Sequence, residues 1–189
     1  MRVSRDQAAL NRERVLDTAA RLFRERGFNG VGVADLMASA GLTHGAFYRQ
    51  FESKEDLMTQ ACERAYKGLR ERWSEAAARK PDKPLTGVVA SYLSTAHRDS
   101  PGEGCVVAAL GSEAAREGPA LRRAITDGTR AQLDVLTELV PGEAHSAKRQ
   151  RAVVTLAAMI GALVLARALD DEALSKELLR SVKAAVSQD

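Results

Sequence analysis

Cysteine is scarce in this chain of 189 residues, which contains only Cys62 and Cys105 and no C-x-x-C pair. This scarcity excludes a disulfide-stapled scaffold and a cysteine-rich zinc site. The polar start, Met1 to Val15, lacks the apolar stretch of a secretory signal peptide. We therefore expect the protein to reside in the reducing cytoplasm.

Patterns of catalytic residues are missing as well. The three histidines, His44, His97 and His145, are scattered, and the sequence contains no G-x-S-x-G, H-E-x-x-H or G-x-x-x-x-G-K motif. We predict that the protein is not an enzyme, that it needs no cofactor and that it binds no metal ion.

Lysine is absent from residues 1–51, although this segment is basic. It contains eight arginines, five acidic residues and all four phenylalanines, so its net charge is +3. Residues 52–189 contain 20 basic and 20 acidic residues and are neutral. Local positive charge beside a small aromatic core suggests a module that meets a polyanion, although many solvated surfaces have a similar excess.

Proline is absent before Pro81, and apolar residues recur at helical rather than alternating spacing. These features predict an all-α fold of about nine helices. We place the helices near residues 11–26, 33–40, a short segment after Thr43, 53–79, 85–98, 103–116, 120–140, 146–169 and 172–186.

Two short helices joined by a tight glycine turn are typical of a helix-turn-helix. The second helix ends at Gly41, a left-handed cap, and the third begins two residues later. Ser53 and Asp56 form the capping box of a long fourth helix. We therefore predict a helix-turn-helix domain over residues 1–53 and a second domain over residues 54–189 that begins with this connecting helix.

The third helix exposes His44, Gly45, Tyr48 and Arg49 on the face opposite its core. Gly45 lowers helix stability by about 1 kcal/mol relative to alanine, a loss that makes sense if a DNA groove must approach the first turn closely. The hydroxyls of Thr43 and Tyr48 and the guanidinium of Arg49 suit phosphates. The alternative is that Gly45 is incidental and that Tyr48 merely covers core.

Lys54 lies in the first turn of the connecting helix, where a cation opposes the helix dipole. A DNA phosphate held between this N-terminus and Lys54 would make the arrangement favourable. The alternative is an ordinary solvated lysine.

The segments Gly27-Phe28, Val33 to Leu36 and Ala40 to Leu57 (AGLTHGAFYRQFESKEDL) resemble the N-terminal signature of TetR/AcrR-family transcriptional regulators. The resemblance implies an all-helical homodimer, usually a repressor, with an N-terminal helix-turn-helix on DNA and a variable C-terminal domain for a small inducer. It implies DNA contacts from the following residues: Thr43, His44, Gly45, Tyr48 and Lys54.

The chain departs from this signature at Val31-Gly32, where family members commonly carry Ser or Thr hydroxyls that cap the second helix and reach a phosphate. At Gly32 only backbone N–H groups remain for that contact.

The stretch from Ala152 to Leu169 is an apolar run that only Thr155 and Arg167 interrupt. A membrane span would be longer and more hydrophobic, so we expect no membrane association. A helix that is apolar on nearly all sides is covered most easily by a partner subunit, and the last two helices therefore predict a four-helix homodimer interface. We assign to it Leu156, Ile160, Leu163, Leu174, Leu178 and Val182.

A ligand cavity is expected between the connecting helix and the dimer helices. Since aromatics are few after Phe51, we expect an aliphatic lining and an uncharged or weakly polar effector. The candidate lining residues, each of which is alternatively plain core, are Tyr66, Trp73, Tyr92, His97, Cys105 and Met159.

Cys105 follows a flexible Gly-Glu-Gly stretch and precedes a helix, where the dipole favours a thiolate. It is a candidate redox or electrophile sensor, and residues 104–110 resemble a subgroup of the family that contains such sensors. The alternatives are a small buried apolar residue and, more remotely, the nucleophile of a cysteine-dependent enzyme.

The prediction is a sequence-specific regulator, a repressor rather than an activator, that a small molecule releases from a palindromic operator by tilting the connecting helix. The alternative hypothesis is a DNA-binding scaffold that responds to no effector and whose C-terminal half only dimerises.

Overall fold

The computed structural model describes residues 4–187, and within this range it contains helices and loops but no strand. The predicted all-α fold is confirmed. Residues 1–3 and 188–189, the outer ends of the two predicted domains, lie outside the described residues. The helices are α1 (Arg5–Arg26), α2 (Val33–Ser39), a 3-10 helix (His44–Arg49), α3 (Lys54–Ala78), α4 (Pro84–Tyr92), α5 (Thr95–Asp99), a second 3-10 helix (Pro101–Glu103), α6 (Val106–Ala114), α7 (Pro119–Leu139), α8 (His145–Ala168) and α9 (Glu172–Val186).

Three predicted helices differ from those in the structure. The first begins at Arg5, six residues before its predicted start, because the hydroxyl of Ser4 accepts a hydrogen bond from the amide of Gln7 and caps it. The helix expected over 85–98 is broken after Tyr92, because the hydroxyl of Ser94 accepts a hydrogen bond from the amide of His97 and caps a new helix. The helix expected over 103–116 begins only at Val106.

Glycines end the first two helices as predicted. Gly27 and Gly41 have φ values of 78° and 71°, which side chains with a Cβ rarely adopt. Phe28 then folds back on Phe23, with ring centroids 5.6 Å apart. These turns set the angle at which α2 and the first 3-10 helix leave α1.

One hydrophobic core holds the N-terminal helices together and extends into the rest of the chain. The four phenylalanines are buried in it together with residues of α3, α6 and α7, such as Leu57, Val106 and Leu121. A second core joins the C-terminal half of α3 to α4, α7, α8 and α9 around Trp73 and Met159. Because α3 passes through both cores, it connects the N-terminal helices mechanically to the C-terminal bundle.

Candidate nucleic-acid interface and effector cavity

The 3-10 helix His44–Arg49 presents a polar face to solvent. Phe47 anchors it in the core and stacks on Phe51, with centroids 5.6 Å apart. Thr43, His44, Gly45 and Arg49 are exposed, and Tyr48 is 68% exposed. The structure thus brings the five predicted recognition residues together on one uncovered surface, in a 3-10 rather than an α conformation.

Gly45 lies in open space. A Cβ built at this position would have no atom within 4 Å other than those of its own helical turn. The backbone at the first turn is therefore accessible to another macromolecule, as expected from the glycine at position 45.

The N-termini of α2 and α3 flank this surface. Gly32 is the exposed N-cap of α2 and offers no side-chain cap, so the first N–H groups of this helix remain available to an anion. Lys54 is the first residue of α3 and is half-buried. Before it, the Ser53 hydroxyl accepts a hydrogen bond from the Asp56 amide (3.0 Å), and the Asp56 carboxylate accepts one from the Glu52 amide (3.1 Å).

Sequence reasoning missed two arginines of α1 near this surface. Arg14 is exposed, and its guanidinium lies near Gly41 in the turn before the 3-10 helix His44–Arg49. Arg12 places its guanidinium over the ring of Phe51, 4.8 Å from the centroid, and contacts Gln60. The arginine excess of residues 1–51 was the available signal.

A cavity of about 290 Å³ lies between α3, α4, α5 and the loop after α5. Trp73, Tyr92 and His97 line it, as predicted. Their rings meet edge to face, so the expectation of an aliphatic lining is wrong for this cavity. The remaining lining residues are Leu69, Arg72, Ser91, Ser94, Ala96, Ser100 and Glu103.

The other three candidate lining residues lie elsewhere. Met159 is completely buried in the second core. The hydroxyl of Tyr66 lies 3.1 Å from that of Thr129, beside a separate groove, and burial raises the pKa of Tyr66 above its ordinary value. Cys105 is completely buried behind the cavity wall.

His97 holds this wall together. Its Nδ1–H donates to the Tyr92 carbonyl (2.7 Å), and its Nε2 accepts a hydrogen bond from the Cys105 amide (3.1 Å). Burial, reinforced by the charges of Arg167 and Arg72, lowers the pKa of His97 to about 4. The imidazole is therefore neutral at physiological pH and is bonded at both nitrogens.

Both thiols are buried. Burial raises the pKa of Cys62 to about 12, so this residue is protonated at neutral pH. Within residues 4–187, no group of three or more His, Cys, Asp or Glu side chains is arranged to hold a metal ion.

Helix α8 has one buried and one exposed apolar face. Leu156 and Leu163 are buried in the protomer's own core, so their assignment to a subunit interface is corrected: they have no free side-chain surface for a partner. Ile160, together with Leu178 and Val182 of α9, is partly buried. The large apolar side chains that are exposed here are Val153, Val154, Val164 and Leu165 of α8 and Leu174 of α9.

By length and composition alone, α8 is apolar enough to cross a membrane. Its buried face packs against α9 and α7, which is the arrangement of a core helix in a bundle.

Known bacterial regulators resemble this chain in sequence. The family model described as bacterial regulatory proteins, tetR family, matches residues 15–61. The regulator AcrR of Shigella flexneri is 32% identical over 85 residues, or 45% of this chain and 40% of AcrR. The repressor NemR of Escherichia coli K12 is 28% identical over 130 residues, or 67% of this chain. The matches span 40% and 65% of the length of these two curated relatives.

Solved structures match nearly the whole chain. The reduced form of E. coli NemR has a TM-score of 0.76 at 27% identity and covers 93% of this chain and 94% of that one. SCO4454, a TetR-family regulator from Streptomyces coelicolor, has a TM-score of 0.74 at 27% identity, with 95% and 97% covered. The chain therefore carries a TetR-family N-terminal domain, and its C-terminal bundle has the fold of solved TetR-family regulators.

Proposed function

We propose that the protein is a cytoplasmic transcriptional repressor that binds a two-fold symmetric DNA operator as a homodimer and is released by a small molecule. The observation that carries the proposal is the uncovered face around Gly45, with exposed Tyr48 and Arg49 and a helix N-terminus on either side.

The DNA contacts fall into two groups. Thr43, His44 and Gly45 form the first turn that enters the major groove, where base edges are accessible. Tyr48 and Arg49 donate hydrogen bonds to DNA phosphates beside the major groove. A second set of contacts consists of phosphates bound at the N-termini of α2 and α3, through the Gly32 segment and Lys54.

The homodimer forms through the exposed apolar face of α8, with Leu174 of α9 at its edge. Four large apolar side chains of α8 point to solvent in the single chain, including Val154 at 60% exposure. A contiguous apolar surface of this kind marks an interaction site in a soluble protein. Pairing α8 and α9 about a two-fold axis places two recognition helices on successive major grooves, about 34 Å apart.

The small molecule occupies the cavity that Trp73 and Tyr92 line. Trp73 lies on the same helix as Lys54, about 30 Å away at the helical rise. A tilt of α3 on ligand binding therefore changes the spacing of the two recognition helices. Operator affinity falls by the factor by which the ligand binds the DNA-free protein more tightly than the DNA-bound protein.

Selection of bound duplexes from a random DNA pool tests the DNA-binding proposal. We expect a palindromic consensus with half-sites one helical turn apart. The Lys54→Ala variant should bind every duplex more weakly, with a salt slope smaller by about 1, and Tyr48→Phe should weaken binding at unchanged specificity. Lys67→Ala is the matched control, because this exposed lysine lies about 20 Å further along α3. Recovery of no preferred sequence, or equal titrations for the Lys54 and Lys67 variants, would reject the assignment.

A metabolite screen tests the cavity. Trp73 is the chain's single tryptophan, so its fluorescence reports occupancy directly. A true effector raises the unfolding midpoint with concentration and weakens operator binding. If no compound does both, the rival scaffold without an effector is supported.

The interpretation of Cys105 as a small apolar core residue is favoured by its complete burial. A sensor thiol or a nucleophile must be reached by its reactant. We expect native protein to react with a thiol reagent more slowly than free cysteine at neutral pH. Rapid modification of Cys105 that also releases DNA would instead support thiol sensing, and turnover of an electrophile or peroxide without DNA would support an enzyme.

A further inference from the structure

Arg24 of α1 is a charged side chain that is almost completely buried, at 8% exposure. Burial lowers its pKa to about 10, and the charge of Glu103 offsets this only in part. Its Nη1 atom has no hydrogen-bond partner among residues 4–187. Burying an incompletely paired guanidinium is unfavourable, so the position calls for a role beyond packing.

The guanidinium of Arg24 joins α1 to a distant segment. Its Nε (2.9 Å) and its Nη2 both donate to the carbonyl oxygen of Gly102, 78 residues further along the chain. Gly102 is pressed against α1, because a Cβ there would overlap the Glu25 carboxylate and the Cγ of Arg21. The second 3-10 helix thus lies directly on the N-terminal helix.

The same segment forms one wall of the cavity. Ser100 and Glu103 line it, and Arg72 donates to the Glu103 carbonyl. On the other side, Arg167 of α8 donates to the carbonyl of His97 (2.7 Å). Residues 97–104 therefore contact the cavity, α8 and α1 at once.

We propose that Arg24 and residues 100–104 form an interdomain latch, a polar connection between the effector cavity and the DNA-binding helices that adds to the apolar contacts of α1 with α3 and α6. This inference rests on the proposed function. In the closed latch, Arg24 fixes α1, and with it the recognition helix, in the orientation that binds operator. A molecule entering the cavity displaces the Ser100–Glu103 wall, withdraws the Gly102 carbonyl and frees α1 to turn.

The chemistry of the latch suits a reversible switch. Opening breaks the bonds to the Gly102 carbonyl, but it also returns the Arg24 guanidinium to water, which offsets much of the loss. Besides the apolar contacts of the first core, α1 is joined to α3 by the ion pairs of Arg64 with Glu13 and Asp17, in which all three side chains are at least one-third exposed. Exposed pairs of this kind hold helices only weakly.

Arg24→Met tests the latch without a known effector. Paired labels at Ser39→Cys and Ser74→Cys, on exposed positions of α2 and α3, report the domain angle in chains diluted with unlabelled protein. We expect Arg24→Met to broaden and shift the label distance and to weaken operator binding about tenfold. Arg24→Lys should restore part of both. The control Arg26→Met removes an exposed charge from the same helix and should change neither.

The latch would be overturned if Arg24→Met and Arg26→Met gave the same label distances. This measurement is made without DNA, so its result does not depend on the proposed repressor function. Failure of every duplex to bind would reject the repressor function separately. If Arg24→Met does not fold, hydrogen exchange on the wild-type protein decides instead: operator DNA should slow exchange of the Glu103 and Gly104 amides, far from the recognition face. Unchanged exchange at these amides on DNA binding would contradict the proposal.

Discussion

His97 should make the folded protein sensitive to mild acid. Its imidazole has a pKa of about 4 in the folded chain, against 6.5 for the free side chain. Between these values the unfolded state binds a proton and the folded state does not, so stability falls as pH decreases through this window. From pH 7 to pH 5 the loss from this one group is about 2 kcal/mol.

The structure gives the physical reason for the low pKa of His97. Its Nε2 accepts a hydrogen bond from the amide of Cys105, the N-cap of α6. A proton on Nε2 would face this N–H donor, so protonation would break the hydrogen bond and leave the Cys105 amide unpaired. The partly buried ring also lies near the positive charge of Arg167. Protonation therefore requires the cavity wall to open.

Urea unfolding at pH 7 and pH 5 measures the effect. We expect the wild-type free energy of unfolding to decrease by about 2 kcal/mol more than that of His97→Gln, which has no titrating ring. The control His145→Gln replaces an exposed histidine at the start of α8 and should retain the wild-type difference. The same pH difference in His97→Gln and wild type would show that the ring is not held neutral by its surroundings.

Two further substitutions test the packing. Leu165→Glu places a charge on the exposed apolar face of α8 and should yield a folded monomer in sedimentation experiments. The control Leu10→Glu changes a similarly exposed leucine of α1 and should remain dimeric. A dimeric Leu165→Glu protein would show that the interface lies elsewhere. Gly128→Ala would drive a methyl group into the ring of Tyr66 and should lower the free energy of unfolding by about 2 kcal/mol. At Gly68 a Cβ would lie 3.6 Å from the Arg72 guanidinium, an ordinary contact distance, so Gly68→Ala should raise the free energy of unfolding by up to about 1 kcal/mol. Equal midpoints for the two glycine variants in urea would contradict the packing of α7 on α3.

Local signals in the sequence predicted where the first two helices end and where α3 begins, but not that α1 begins at Arg5. The glycines at 27 and 41 end their helices with positive φ, and the capping box at Ser53 begins α3, because each depends on neighbours within four residues. The break between α4 and α5 was missed, since the cap at Ser94 interrupts an otherwise helical pattern.

The dimer and cavity residues were harder to predict. Helix α8 is apolar nearly all round, so its periodicity does not tell which face packs inward; contacts with α7 and α9 bury Leu156 and Leu163 and leave Val154 and Leu165 exposed. Similarly, Trp73, Tyr92 and Met159 are all plausible lining residues in sequence, yet only the first two reach the cavity.

The sequence by itself therefore determined the fold class, the TetR-like N-terminal domain and the exposure of the face around Gly45, because helix caps, apolar periodicity and the spacing of the turn are short-range properties of the chain. Only the tertiary structure decided which face of α8 is free, where the cavity lies and that Arg24 binds the Gly102 carbonyl. Those features depend on contacts between residues far apart in sequence, and no local pattern encodes which of many compatible side chains will meet.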